Sequence, residues 1–169
     1  MRLTAIAAAA LALTLFTTPA CNKKSQEETV DPLERADSTR REPNHFLHKT
    51  FQVKKITQFS FVVPPHTAIP HLQGTFSSFV PRPGDDPLAD DTTNVDFLLL
   101  TPDQYSEFNN GSTNGEALYT TGPTHDHEVD YSLSPTNDQP ATYFIVFRSA
   151  GGGAPVKSVK ADFTVGYGY

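Results

Sequence analysis

From Val159 to Val165 the chain reads Val-Lys-Ala-Asp-Phe-Thr-Val, and every second residue is apolar. Successive side chains of a β-strand point to opposite faces, so this rhythm specifies a strand with one buried face and one wet face. Glu128-Val129-Asp130-Tyr131-Ser132-Leu133 repeats it. Two half-buried strands so close to each other require other sheets or strands to cover them, which excludes a helical bundle. Tyr143-Phe144-Ile145-Val146-Phe147 is apolar throughout. It is too short for an ordinary helix and rich in aromatic and β-branched residues, so it reads as a central strand covered on both sides. Val95–Leu100 is similar, with Val95, Phe97 and Leu99 directed inward.

Earlier strands are predicted over Thr50–Val53 and Ile56–Val63, flanking a turn or bulge at Lys54-Lys55, and over Leu72–Val80, with Leu72, Phe76 and Val80 in phase. Gly74 in that run marks a close approach or a bulge. Pro64-Pro65 ends the second strand, because proline cannot donate to a ladder. Tyr105 and Phe108 stand at helical spacing within Pro102–Asn110, and Thr101 before Pro102 suits an N-cap, so one short helix is expected there. Ala117–Thr121 reads as a short edge strand. Fourteen prolines and ten glycines supply the punctuation, at Pro81–Asn94, Asn109–Gly115, Gly122-Pro123, Pro135–Pro140 and Ser149–Pro155. The fold expected is all-β: an antiparallel β-sandwich or jelly roll of about eight strands spanning residues 44–169.

The first 43 residues do not belong to that domain. Arg2 followed by the apolar run Ala5–Phe16 has the length of a secretory signal and falls short of the ~20 apolar residues that span a bilayer. Thr17-Thr18-Pro19-Ala20 then leads into Cys21, the only cysteine of 169 residues. This arrangement resembles the bacterial lipoprotein signal. The resemblance implies a signal peptide over 1–20, lipidation of Cys21 and anchoring to a cell-envelope membrane, with Asn22 similar to lipoproteins sorted to an outer membrane. The alternative is ordinary cleavage after Ala20, leaving a free thiol. Residues 22–43 hold five Lys/Arg and six Asp/Glu with Val30 and Leu33 as the only large aliphatic residues. Such a segment cannot bury enough apolar surface to offset its ordering entropy, and reads as a solvated tether with a coil reach of roughly 25 Å.

A second resemblance covers the domain. Ala141-Thr142-Tyr143-Phe144-Ile145-Val146-Phe147-Arg148-Ser149, then Lys157 through Tyr167, looks like the last two strands of GOLD-like domains, and Phe59-x-Phe61 and Gly74-x-Phe76 are similar to that family's start. Bacterial pre-peptidase C-terminal domains have a comparable ending. The resemblance implies a sandwich used as an interaction or accessory module and not as a catalyst.

Candidate chemistry is sparse. His125-Asp126-His127-Glu128 is the densest polar cluster, and His125 and His127 on a strand would share a face and offer two ligands to Zn²⁺ or Cu²⁺. They also continue the phase of Val129, Tyr131 and Leu133, the pattern of a half-buried rim. His45, His48, His66 and His71 would have to converge on them through the fold to complete a site. Asp85-Asp86 and Asp90-Asp91 crowd one loop with hard oxygen ligands suited to Ca²⁺, though not at EF-hand spacing. Gly151-Gly152-Gly153 joins two predicted strands, the place of a flexible hairpin and not of a phosphate loop. No Gly-x-Ser-x-Gly elbow occurs. Tyr105, Tyr119, Tyr167 and Tyr169 are the aromatics free of a core phase and available to line a surface. A net charge of −6 excludes general nucleic-acid binding.

The expectation is therefore a non-catalytic binding or accessory module of an envelope lipoprotein. It needs no cofactor, is held to the membrane through Cys21, and meets a protein or glycan partner at the 81–94 and 109–115 loops. The alternatives are a metal-binding envelope protein, using His125 and His127 or Asp85, Asp86, Asp90 and Asp91, and an envelope enzyme with dispersed site residues.

Overall fold

The computed structural model describes residues 42–84, 86–111, 116–149 and 155–168. Cys21, the signal sequence and all but the last two residues of the tether lie outside the described residues. Eight strands follow in order: β1 (Asn44–Val53), β2 (Ile56–Val63), β3 (Ile69–Phe79), β4 (Val95–Leu100), β5 (Tyr119–Thr124), β6 (Asp126–Ser132), β7 (Ala141–Ser149) and β8 (Lys157–Gly168). One helix, α1 (Pro102–Asn109), joins β4 to β5.

The strands form two four-stranded antiparallel sheets, β1-β8-β3-β6 and β2-β7-β4-β5. The order is that of a chain folded in half at α1: first strand beside last, second beside seventh, third beside sixth, fourth beside fifth. That is the jelly-roll arrangement, and every connection except β4–β5 crosses between sheets. The alternation read from sequence is the alternation of burial. Val159, Ala161, Phe163 and Val165 of β8 are 0–2% exposed while Lys160 between them faces solvent.

The core between the sheets is aromatic. Phe163 of β8 and Phe97 of β4 stack across the gap at 5.3 Å and 3°, and Phe76 of β3 stacks on Phe97 at 5.7 Å. Phe147 of β7 meets Phe76 and Phe97 edge-on, each at 5.4 Å. Offset and edge-to-face contacts of this kind add about 0.5–1.5 kcal/mol per pair beyond the area buried. Gly74 is what lets Phe163 lie there. It stands opposite Phe163 in the β3–β8 ladder, and a Cβ on it would come within 2.5 Å of the Phe163 ring and 2.4 Å of the Asp162 carbonyl.

β7 is the doubly covered strand its composition predicts. Ile145 and Phe147 face the core, and Phe144 on the other face is covered by Tyr105 of α1, whose ring stacks on it at 4.2 Å. α1 is held by a capping box: Gln104 N–H donates to Thr101 Oγ1, and Thr101 N–H donates back to Gln104 Oε1.

β6, β7 and β8 each begin two residues before the predicted runs, and β1, β3 and β5 differ in ways that have a physical reason. β1 starts at Asn44, six residues before the predicted Thr50. The extra length pairs with β8 and is anchored by Leu47, and its polar residues hid it. β3 starts at Ile69, with Pro70 near its N-terminal end, where a missing donor is tolerated. β5 runs Tyr119–Thr124 through Gly122-Pro123, which sequence alone assigns to a loop. Gly122 takes φ +69° beside a register shift between Phe97 and Leu98, and Pro123 is tolerated because β5 is an edge.

Gly74→Ala is expected to lower unfolding free energy by about 1–3 kcal/mol, the range for overpacking a close-packed core. Gly166→Ala, where the nearest atom to a new Cβ is 3.9 Å away, is expected to be neutral or slightly stabilising. Urea unfolding of the two variants checks both.

Candidate functional site

The strand order sorts every connection to one of two ends of the sandwich. One end carries the 54–55 turn, the 80–94 connection, the corner at His125 and residues 155–156. The opposite end carries the start of β1, the 64–68 and 133–140 connections and the α1 connection. Of the two candidate contact regions, the 81–94 connection therefore belongs to the first end, and residues 109–111, at the end of α1, to the opposite one. Residues 112–115 lie outside the described residues.

The acidic loop is organised by its own carboxylates. Asp90 is the N-cap of a 3₁₀ turn over Asp91–Thr93 and accepts from Thr92 Oγ1 at 2.5 Å and Thr92 N at 2.9 Å. Those bonds hold its carboxyl below the usual aspartate range. Asp91 accepts from the Asn94 side chain at 3.5 Å, Asp86 is exposed, and Asp85 lies outside the described residues. Beneath the turn, Thr93 Oγ1 donates to Ser78 O and Ser78 Oγ to Thr93 O, so a buried hydroxyl pair fastens the loop to β3.

His125 and His127 go to different partners. His127 faces inward opposite Phe76, half-buried, with Nε2 at 2.9 Å from Tyr119 Oη. That bond ties β6 to β5 where the two sheets meet at one side of the sandwich. His125 sits in the bend between β5 and β6, Nε2 at 3.2 Å from Asp126 Oδ1, and its carbonyl accepts from Ser78 N. Among the described residues no group of three or more His, Cys, Asp or Glu side chains is arranged to hold a metal ion. Tyr119 and Tyr167 pack against the core and Tyr105 packs on Phe144, each remaining partly exposed; Tyr169 lies outside the described residues.

One surface that sequence alone does not reveal is the outer face of the β1-β8-β3-β6 sheet. Two adjoining hollows of ≈ 510 and ≈ 410 Å³ run across β1, β8 and β3 and share Thr75 and Asp162. His48 Nδ1 lies 2.9 Å from Asp162 Oδ2, His45 Nδ1 2.9 Å from Thr164 Oγ1, and His71 bonds to Asp130 and Ser132. Thr50, Ser77 and Lys160 complete the larger hollow. His45 and His48 are three residues apart, which in a regular strand puts them on opposite faces. A bulge between His45 and Leu47 admits Phe46 as an extra residue, directs it to the core against Phe61 at 4.6 Å, and brings both histidines to the outer face. The face is open, and hydroxyl, imidazole, amine and carboxylate groups stand in register among apolar surface. Ser132 Oγ lies 3.3 Å from His71 Nδ1, and His71 Nε2 bonds Asp130, on the open face and apart from the residues that line the two hollows.

A second unforeseen group is Lys157, 1% exposed, which continues the inward row of β8. Its ammonium donates to the Asn94 carbonyl at 2.5 Å, bracing β8 against the start of β4. Beside it Arg148 pairs with Asp96 at 2.8 Å. The phase of Val159 to Val165, run back two residues, would have placed Lys157 inside.

Burial pushes the Lys157 amine below the usual lysine range, by more than nearby Asp96 raises it. Between that lowered value and the reference 10.5 the unfolded chain holds the proton more firmly than the folded one, so this contribution to stability rises with pH. The stability of the natural chain relative to Lys157→Met is expected to increase as the pH is raised toward 10.5 in urea unfolding. A difference flat across that window would contradict a desolvated amine.

Among the described residues no helix is long and apolar enough to cross a membrane. No family model matches the chain, and no curated protein matches it at a significant level.

Proposed function

We propose that this chain is a non-catalytic binding module carried by a lipid-anchored envelope protein. In this reading Cys21 bears the lipid, residues 22–43 are the tether, and the sandwich presents the outer face of its β1-β8-β3-β6 sheet to a protein or glycan partner. The observation that carries it is the pair of adjoining open hollows that share Asp162 and Thr75 and set polar side chains among apolar surface. A rigid sheet holds them, and they offer donors and acceptors at fixed spacing without an enclosed cavity, which suits recognition more than chemistry. The similarity of the last two strands to GOLD-like modules points the same way. The tether would enter at the start of β1, so the 54–55 and 81–94 connections would stand at the end farther from the membrane. The anchor reading adds an outer-membrane location, from Asn22 after Cys21.

Two measurements test this. Mass spectrometry of the mature protein is expected to find acyl glyceryl on Cys21, and Cys21→Ser is expected to move the chain from the membrane to the soluble fraction. An unmodified thiol on a membrane-free protein would refute the anchor. Affinity capture from envelope extracts is expected to yield a partner that Asp162→Arg, which fills the hollow, no longer retains. Identical captures by both baits would remove this face as the contact surface.

A further inference from the structure

Four strands are sheet edges: β1 and β6 in one sheet, β2 and β5 in the other. An edge presents unpaired N–H and C=O groups that template pairing with another chain unless charge, proline or a bulge blocks it. Three of the four are blocked. β6 carries Asp126, Glu128 and Asp130 along one face, β5 contains Pro123 and lies at a register shift, and β1 has its bulge at Phe46 and Lys49 in its length. β2, Ile-Thr-Gln-Phe-Ser-Phe-Val-Val, has no charge, no proline and no register shift over eight residues. Its outward row of Ile56, Gln58, Ser60 and Val62 is exposed throughout. Ile56 at 46% and Val62 at 47% are two of the four exposed large hydrophobic residues among the described residues.

The open backbone groups can be assigned. Ser149 N–H donates to Lys55 O at 2.8 Å. Ladder bonds alternate residue by residue, so the odd-numbered residues of β2 address β7 and the N–H and C=O of Ile56, Gln58, Ser60 and Val62 address the open side.

We propose that this edge pairs with the same edge of a second copy, antiparallel about a two-fold axis at Phe59. The sequence is self-complementary in that register. Ile56 stands opposite the partner's Val62, Gln58 opposite the partner's Ser60, and each of these pairs exchanges two backbone hydrogen bonds. The exposed aliphatic residues at the two ends of β2 cover each other. β2 itself carries no charged residue, so no like charges stand opposite each other within the paired strands; the Lys49 ammonium of each copy lies 4.5 Å over its own Phe59 ring, on the core side of the edge. One eight-residue strand pair is smaller than the interfaces of roughly 1,200–2,000 Å² that hold stable complexes. The association is accordingly weak, with Kd on the order of 100 μM, and is populated where copies are concentrated. It stands apart from the anchor reading, because it requires no lipid.

The test uses the full chain with Cys21→Ser. Sedimentation equilibrium up to about 1 mM is expected to show a monomer–dimer equilibrium, and Ser60→Lys at this exposed position to weaken it at least tenfold, a difference of about 1.4 kcal/mol. Gln58→Cys and Ser60→Cys chains, mixed under mild oxidation, are expected to cross-link severalfold faster than either alone. A chain monomeric at the highest concentration with no preference for the mixed cross-link overturns the proposal and leaves the edge to a strand of another protein. A dimer indifferent to Ser60→Lys overturns it as well, since another surface then forms it.

Discussion

The seating of Phe163 in the space above Gly74 fixes more of this molecule than any other contact. A strand slipped by one residue turns its whole apolar row outward, so the register of a half-buried sheet is specified wherever a core contact tolerates one partner only. Gly74 is such a partner. Any side chain there would strike the Phe163 ring, and a slip of one place would set Gln73 or Thr75 in the same position. With β3 and β8 locked, Thr75 faces Asp162 and Ser77 faces Lys160 on the outer surface. β1 and β6, paired to these two strands, bring His48 beside Asp162 and Glu128 beside Thr75. The polar face is the reverse side of an aromatic core.

Both ends of the sandwich are closed by polar groups, because the connections there bring backbone atoms that need partners. At the end where β1 begins, Thr67 and Thr136 exchange backbone and side-chain bonds, and both hydroxyls also donate to the Pro64 carbonyl. At the other end Ser78, Thr93 and Lys157 do equivalent work with shorter and longer side chains. Loops fastened in this way are rigid, which lowers the entropy lost when they meet a partner. The 81–94 connection owes its shape to Asp90 and Thr93, residues that as isolated letters suggest a calcium loop.

The fold was legible because its signal is a period, and a period survives noise. β4, β6, β7 and β8 follow from alternation or from continuous apolar runs, and Thr101-Pro102 with Tyr105 locates the helix. What was not legible depends on a departure from the period or on a distant partner. Phe46 breaks the phase of β1 and so conceals that His45 and His48 share a face. Gly122-Pro123 reads as a loop unless β5 is known to be an edge. His125 and His127 share a phase in the sequence, yet a bend after Thr124 gives their rings different partners. Lys157 looks like a surface residue until its carbonyl partner, 63 residues away at Asn94, is in view.

The two sheets treat their outer faces differently, and the difference is written in the strands. In the β2-β7-β4-β5 sheet the central strands β7 and β4 are apolar on both faces, because α1 lies over one of them and Tyr105 needs Phe144 to stack upon. In the β1-β8-β3-β6 sheet the central strands alternate over most of their length, and among the described residues no helix lies over them. A jelly roll with one capped and one bare sheet has only the bare one to offer across its strands, and the capped one is left with its edge. On the bare sheet most outward residues are hydroxyls, imidazoles, amides and charges, with Ile69 at one end as an exposed exception. On the capped sheet β2 is the strand farthest from β5, where the helix connection returns. Its outward row carries neither charge nor proline, and on its core side the Lys49 ammonium lies over Phe59. Face and edge are thus separate surfaces produced by one asymmetry, the placement of a single eight-residue helix.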